Sequence, residues 1–313
     1  MTSLASNPTS YSIEDFRGSR SRMRKERIVR AVLFVAASTS IVISVAIVAS
    51  LIGEAWTFVS QVELAALWTD GWFPRRGMYD IKTLVSGSLI VTVIAMAVAG
   101  PLGLGAAVYL SEYAPATVRK VVKPALEILA GIPSVVLGFF ALTFLSPVIV
   151  QRLNDEATQF NIAAAGIGVG ILTIPLVASI SEDAMRSVPA ALREASYGLG
   201  ARKITTTIRV VIPAAVSGLV AAFIVAVSRA IGETMVVFIA AGATGGSLFS
   251  TDVFRPGQTM TAAMASQAAG TDQVRGAGLT FQSLFFVGML LFLVTLVLNV
   301  LASRFVRRVR QAY

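Results

Sequence analysis

The sequence predicts an all-α integral membrane protein with six transmembrane helices. Three observations support this fold class. Six stretches of the 313-residue chain are long and apolar, 55% of all residues are apolar while only 14% are charged, and Lys and Arg collect in alternate connecting segments. Soluble domains carry about a quarter charged residues, so a chain this poor in charge is expected to expose much of its surface to lipid.

The six apolar stretches each reach the roughly 20 residues that a helix needs to cross a hydrocarbon core about 30 Å thick. They are Ala31–Ile52, Thr83–Ser111, Ile128–Gln151, Ala157–Ser181, Ala214–Ala241 and Gly276–Ser303. The stretch 31–52 follows a basic segment, as in a signal peptide, but it is longer than the roughly 7–15 residues of a signal-peptide core. We therefore predict a retained first helix, preceded by a disordered tail at residues 1–30.

The positions of Lys and Arg predict the orientation. Nineteen of the 26 lie in the N-terminal segment, the loops after the second and fourth stretches, and the C-terminal segment, whereas six lie in the other loops. Because cytoplasmic loops carry the excess of Lys and Arg, both termini are predicted to be cytoplasmic. This distribution also accounts for the net charge of +9 without a nucleic-acid partner.

The two long outer loops differ in character. Residues 53–82 carry Trp56, Trp68 and Trp72, which we expect at the membrane interface. Residues 242–275 are rich in Gly, Thr and Ala, and they form either short or re-entrant helices that face a partner subunit or an ordinary connecting loop. Gly100-Pro101 and Gly131-Ile132-Pro133 are expected to interrupt the second and third stretches, either for close packing or as points of movement.

Composition excludes several classes of function. The chain has no cysteine and no histidine, which rules out disulfides, Cys/His zinc sites and Ser-His-Asp triads. It also lacks a Gly-rich loop ending in Gly-Lys-Ser or Gly-Lys-Thr, the sequence that binds the phosphates of ATP. We predict that the chain is not an enzyme and has no cofactor.

The inner loop at residues 182–213 is the most informative segment. It predicts two short helices with a turn at Gly198 and Gly200, and apolar residues recur at helical spacing on the first of them. Such a loop either docks in a groove of another protein or lies on the membrane surface.

This loop resembles the coupling motif of the permeases of binding-protein-dependent ABC importers, which is Glu-Ala-Ala, three residues, Gly, nine residues, Ile, one residue, Leu-Pro. The matching positions are Glu194, Ala195, Ser196, Gly200, Val210, Ile212 and Pro213, with conservative departures at Ser196, Val210 and Ile212. The resemblance implies a type I (MetI-like) permease core at residues 83–303. It also implies contacts with an ATPase through Glu194, Ala195, Gly198 and Gly200.

Within that family, the chain is similar to the larger of the two homologous permease subunits of phosphate importers. The stretches Tyr109–Pro115, Leu126–Phe140 and Arg229–Met235 carry the similarity. It implies a heterodimer with a second permease subunit, two ATPase subunits on the cytoplasmic side and an extracytoplasmic phosphate-binding protein. The expected location is the plasma membrane of a bacterium or archaeon.

The fifth apolar stretch contains the pair Arg229 and Glu233. A charge at the membrane centre costs about 2.5–3.5 kcal/mol on insertion scales, and residues four apart lie on one helix face. The pair is either a structural ion pair or part of a path for phosphate. In a path, Arg229 would donate to the anion and Glu233 would orient Arg229 or accept the proton of a protonated phosphate. Ser228 and Thr234 could add hydroxyl donors, or bond to their own helix backbone.

Two alternatives stay open from the sequence. One is a permease for another oxyanion, such as molybdate or sulfate. The other is a membrane scaffold for phosphate sensing that does not transport, although such a scaffold would have no need of a coupling loop.

Overall fold

The computed structural model describes residues 20–242, 245–270 and 278–309. Within these ranges the helices are α1 (Arg20–Gln61), α2 (Ile81–Val108), α3 (Ala116–Ala130), α4 (Ser134–Phe140), α5 (Gln151–Leu153), α6 (Ile162–Arg186), α7 (Ala190–Gly198), α8 (Lys203–Thr206), α9 (Ile212–Ile231), α10 (Met235–Ala240), α11 (Met260–Ala268) and α12 (Thr280–Val309). Three π-helical segments adjoin them in the described residues: Tyr109–Tyr113, Ala141–Val150 and Thr207–Val211. Short 3-10 helices cover Leu64–Trp68 and Pro74–Arg76.

Six helical stretches of the described residues are long and apolar enough to cross a membrane. They are Met23–Gln61, Ile81–Tyr113, Ser134–Leu153, Ile162–Arg186, Lys203–Ile231 and Thr280–Arg304. The predicted number of spans is therefore observed, and the chain is a multi-pass membrane protein. The chain divides into two compact units, the first ending at Gly53 and the second beginning at Glu54.

The first unit contributes a single described element, residues 20–53 of α1, whose apolar side chains are exposed. Lipid contact explains that exposure, because a lipid-facing helix has no need to bury its apolar side chains in protein. The predicted disordered tail at residues 1–30 is corrected in part. Residues 20–30 are helical, and residues 1–19 lie outside the described residues.

In the second unit, α6 is the most buried of the six spans, and it packs along α2 through glycines. A Cβ added at Gly170 would lie 3.0 Å from the carbonyl oxygen of Ala95, and one at Gly166 would lie 2.7 Å from Cβ of Ile94. Small residues let two membrane helices approach closely where apolar burial alone gives no advantage over lipid. Asn161 starts α6 by accepting a hydrogen bond from the Ala164 N–H at 2.7 Å.

The segments that precede α2 and follow α10 form a small antiparallel sheet, in the order β2 (Met78–Tyr79), β1 (Gly71–Phe73), β3 (Ser247–Leu248). Trp72 is buried in this region and contacts Tyr79 edge to face, with ring centroids 6.0 Å apart. Trp72 is thus enclosed by protein, because a β-strand turns its ring into a core, and its place at the membrane interface stays a prediction. Trp56 and Trp68 are exposed.

Of the two interpretations of residues 242–275, the short helix is the one observed. Helix α11 is largely buried, and its first N–H groups are capped by Thr259 Oγ1 and Ser88 Oγ. Residues 243–244 and 271–277 lie outside the described residues.

The two predicted interruptions had different outcomes, and the structure adds a third that was not predicted. Helix α2 runs through Pro101 without a break, while Pro133 does separate α3 from α4. The third span therefore begins at Ser134 and not at Ile128. The fifth predicted stretch is divided at Gly232, because the backbone N–H groups of Gly232 and Glu233 bond to Ser228 and Ala230 and end α9 there.

Replacement of Gly87 by Ala tests how the segment just before α11 packs on α2. The added Cβ would collide with the Gln258 carbonyl oxygen, so we expect about 1–3 kcal/mol of destabilisation. The measurement is the unfolding midpoint of the purified protein in detergent. Gly105→Ala is the matched control in the same helix, since a Cβ there meets nothing within 4 Å; equal midpoints for the two variants would contradict the predicted packing.

Candidate functional site

Arg229 and Glu233 lie on either side of a helix end. Arg229 is in the last turn of α9, whereas Glu233 is in the link to α10. Arg229 Nη2 is 3.8 Å from Glu233 Oε2. The predicted pair is therefore present, but the reason given for it was wrong, since the two residues do not share a face of one continuous helix.

The two members of the pair differ in their surroundings. Glu233 is held by its neighbours: its side chain is 4% exposed, Oε1 accepts the Val236 N–H at 3.4 Å, and its carbonyl oxygen accepts from Thr261 Oγ1 at 2.8 Å. The Arg229 side chain is 54% exposed. Among the described residues, Glu233 is the one ion-pair partner of Arg229. The arrangement thus presents a fixed carboxylate and a guanidinium with donors to spare.

The neighbouring hydroxyls are used differently. Ser228 Oγ donates to Asn299 Oδ1 of α12 at 3.4 Å and so connects two spans beside Arg229. Thr234 Oγ1 donates to the Gly232 carbonyl at 3.2 Å, which is the local backbone bond considered from the sequence.

The inner loop has the predicted form of two short helices joined by a turn. The Gly200 N–H bonds to the Tyr197 carbonyl at 2.9 Å and the Ala201 N–H bonds to the Ser196 carbonyl at 3.1 Å. These two bonds, with Gly200 at a φ of +77°, form a Schellman motif that ends α7. Glycine is favoured at Gly200 because a Cβ is strained at this φ.

Helix α7 presents one face outward. Glu194, Ala195 and Gly198 are exposed, and Leu199 just beyond the helix is 90% exposed. The four residues expected to contact an ATPase, Glu194, Ala195, Gly198 and Gly200, therefore all lie on accessible surface at the same loop. Arg229 and Glu233 belong to a different part of the second unit.

A cluster of charges at the base of this loop escaped the sequence analysis. Glu182, fully buried near the end of α6, has Lys123 Nζ at 2.7 Å, Arg186 Nη1 at 3.4 Å and Arg119 Nε at 3.8 Å. Burial acts to lower the pKa of Lys123, but the hydrogen bonds and charges of Asp183 and Glu182 outweigh it, so the pKa lies above its ordinary value. An acidic residue directly after an uncharged span was the signal that could have identified Glu182.

A second ion pair, between Arg193 of α7 and Glu112, was also missed. The two residues are 81 positions apart, and no periodicity in the sequence connects them. Among the described residues, no group of three His, Cys, Asp or Glu side chains is placed to hold a metal ion.

Comparison with known proteins gives consistent results. The family described as binding-protein-dependent transport system inner membrane component matches residues 99–311. The phosphate transport system permease protein PstC of Mesorhizobium japonicum is 30% identical over 278 residues, 83% of each chain. The probable ABC transporter permease protein YqgH of Bacillus subtilis is 40% identical over 166 residues, so this chain spans about half of that relative, 53% of each.

Among solved structures, a chain of the MetNI methionine ABC transporter in an inward-facing conformation has a TM-score of 0.52 at 19% identity. The match covers 74% of this chain and 94% of that one. Together with the six apolar helices, these matches confirm the predicted fold class, an all-α membrane protein with six transmembrane helices in the MetI-like permease fold.

The turn at Gly200 yields a prediction for the loop. Gly200→Ala places a Cβ on a left-handed backbone at a cost of about 1–2 kcal/mol. We therefore expect cleavage of the loop by trypsin at Arg202 and Lys203 to become roughly 5- to 30-fold faster. Gly198→Ala, in ordinary helical conformation with open space around it, should keep the original cleavage rate. An unchanged rate for Gly200→Ala would show that the turn does not depend on glycine.

Proposed function

We propose, since the chain belongs to the family of binding-protein-dependent transport system inner membrane components, that it is the membrane-spanning permease subunit of an ATP-driven importer of inorganic phosphate. The relatives are named permease proteins, and this chain is likewise a permease subunit, which is not itself an enzyme. The similarity to PstC over 83% of the chain is the observation that carries phosphate as the cargo.

The chemistry of the Arg229–Glu233 pair supports an anion path. A guanidinium offers up to five N–H donors in a plane and matches the geometry of phosphate oxygens. Because Glu233 is buried and held in place while Arg229 is exposed, the carboxylate can orient the guanidinium and weaken its field. An anion must leave a transport site as readily as it enters, and a nearby carboxylate serves that need.

The same carboxylate gives a basis for selectivity. Phosphate carries at least one proton at neutral pH, and Glu233 can accept a hydrogen bond from it. Sulfate is fully ionised and has no proton to donate, so its approach to the carboxylate is repulsive. Discrimination by an unfavourable contact with the wrong ligand is a common device for specificity.

The partners follow from the surfaces. The exposed face of α7, with Glu194 and Gly198, is the proposed contact for one ATPase subunit. The second permease of the heterodimer would bind a second ATPase subunit in the same way. A single exposed arginine is little for a phosphate anion, so the homologous second permease subunit is proposed to supply further cationic groups. A phosphate-binding protein would deliver the anion on the face that carries the sheet and α11.

The proposed orientation places both termini in the cytoplasm of a bacterium or archaeon. It rests on the excess of Lys and Arg in the N-terminal segment, the loops around α3 and α7, and the C-terminal segment. The ATPase contact would then lie on the cytoplasmic side, where ATP is available.

Reconstitution of the chain with its second permease, ATPase and binding protein in vesicles tests the cargo. We expect ATP-dependent uptake of labelled phosphate that a tenfold excess of sulfate or molybdate does not inhibit. If the vesicles take up sulfate or molybdate in preference to phosphate, that anion is the cargo and the phosphate proposal is wrong. A complex that binds ATPase but moves no anion would favour a sensing scaffold.

Substitutions in the pair test the path. Arg229→Ala should lower phosphate uptake at least about 30-fold, because loss of a charge-assisted contact costs about 2 kcal/mol or more. Glu233→Gln keeps the size of the side chain and removes the charge, so sulfate should become a competitor. Both are measured as initial rates of uptake in the reconstituted complex.

Arg255→Gln is the control for the loss of one positive charge, because Arg255 is half-exposed and pairs with the equally exposed Asp252 at 3.6 Å. Uptake at the original rate by both Arg229→Ala and Glu233→Gln would place the anion path elsewhere.

A further inference from the structure

Helix α7 has an inner face that differs from the face proposed to contact an ATPase. Arg193 and Ser196, three residues apart, point into the protein. Ser196 Oγ lies 2.8 Å from Thr206 Oγ1 of α8, and Leu192 packs against the buried cluster that contains Met185 and Val211. The exposed face of α7 is thus free to bind a partner, while the opposite face packs against the rest of the chain.

The guanidinium of Arg193 makes four hydrogen bonds that use all three of its nitrogens. Nη2 donates to Glu112 Oε1 at 2.8 Å and to the Met185 carbonyl at 2.8 Å. Nε donates to Glu112 Oε2 at 3.3 Å, and Nη1 donates to the Val188 carbonyl at 2.7 Å. The side chains of Arg193 and Glu112 are 19% and 4% exposed, so solvent screens this contact little.

The acceptors belong to two different transmembrane spans. Glu112 lies in the π-helical segment Tyr109–Tyr113 that continues α2, closed by the Ala114 N–H on the Tyr109 carbonyl at 2.7 Å. Met185 and Val188 lie in and just beyond the last turn of α6, whose carbonyls have no partners further along the helix. One side chain on α7 therefore joins the ends of the second and fourth spans.

A further contact reaches the same π-helical segment. Lys203 Nζ, at the start of α8, lies 4.9 Å from the ring centroid of Tyr113. π-helical turns are rare and frequently occur at functional sites. The inner loop thus contacts the end of α2 from both of its short helices, α7 and α8.

We propose that Arg193 is a positioning residue that makes α7 and the ends of α2 and α6 move together, so that displacement of α7 by an ATPase reaches the transmembrane helices. A planar, bidentate guanidinium is suited to this because it fixes distance and direction, which a single-point ammonium does not. The inference rests on the proposed function, and it adds a residue that links the ATPase contact to the spans.

The test uses the complete complex in vesicles, with anion imported per ATP hydrolysed as the readout. Arg193→Gln should lower this ratio about tenfold, while the ATPase subunit stays bound through the unchanged exposed face of α7. Arg193→Lys keeps the charge but cannot reach all four acceptors, so an intermediate ratio is expected. The double variant Glu112→Gln with Arg193→Gln should have the same ratio as Arg193→Gln alone, because the two substitutions remove the same contact.

Arg186→Gln is the matched control. Arg186 also pairs with a buried acid, Glu182 at 3.4 Å, but its side chain is half-exposed and both residues of this pair belong to α6, so the Arg186→Gln ratio should stay at the wild-type value. A ratio of anion imported per ATP hydrolysed that Arg193→Gln leaves unchanged would overturn the proposal. So would loss of the ATPase subunit from the purified complex with uptake and hydrolysis falling in proportion, because a merely structural role predicts that outcome.

A spectroscopic measurement separates this inference from the choice of cargo. The chain has no cysteine, so nitroxide labels on cysteines introduced at the exposed positions Tyr109 and Ala190 report only the distance from the end of α2 to α7. That distance should be unchanged by ATP in the original complex and should change with ATP in Arg193→Gln. If both complexes behave alike, the link is refuted; if the complex carries another anion, only the phosphate proposal fails.

Discussion

Charge is expensive in a hydrocarbon environment, and the arrangement of charged residues in this protein follows from that cost. A charge at the bilayer centre costs about 2.5–3.5 kcal/mol even on the mildest scales, so five of the six apolar stretches of the sequence contain none. The charged residues within or next to these stretches are paired or lie where a helix ends. Glu182 is surrounded by three cations, and Glu233 is held by Arg229 and a backbone N–H.

The same constraint applies to the backbone. In a membrane, N–H and carbonyl groups must be satisfied within the protein, so a helix can stop only where other groups accept its bonds. At Gly232 the N–H groups of Gly232 and Glu233 donate to carbonyls of the preceding turn, and the hydroxyl of Thr261 donates to the Glu233 carbonyl. At the end of α6 the guanidinium of Arg193 satisfies two backbone carbonyls by donating a hydrogen bond to each. Irregular backbone and charge therefore occur together.

The sequence was sufficient where a local rule decides the outcome. Run length predicted six spans, and the glycines at 198 and 200 predicted a turn, which the structure has at Gly200 with a φ of +77° while Gly198 is the last residue of α7. It was insufficient where a contact joins distant segments. Gly232, where α9 ends, and the exposed Gly105, where α2 continues, both lie in predicted apolar stretches, and glycine alone does not tell which of them ends a helix. The partner of Arg193 lies 81 residues away, and Trp72 is buried by a strand pairing with residues 247–248.

Arg193 and Arg229, for which different roles are proposed, differ in their surroundings. Arg193 has four acceptors and is largely buried, so all of its nitrogens are occupied and it can only hold elements together. Arg229 is half-exposed with a carboxylate at 3.8 Å, a distance longer than a strong charged hydrogen bond of about 2.7–2.9 Å. Its donors are thus not committed to the protein. An arginine that exchanges ligands during transport needs that freedom, whereas one that transmits movement needs the opposite.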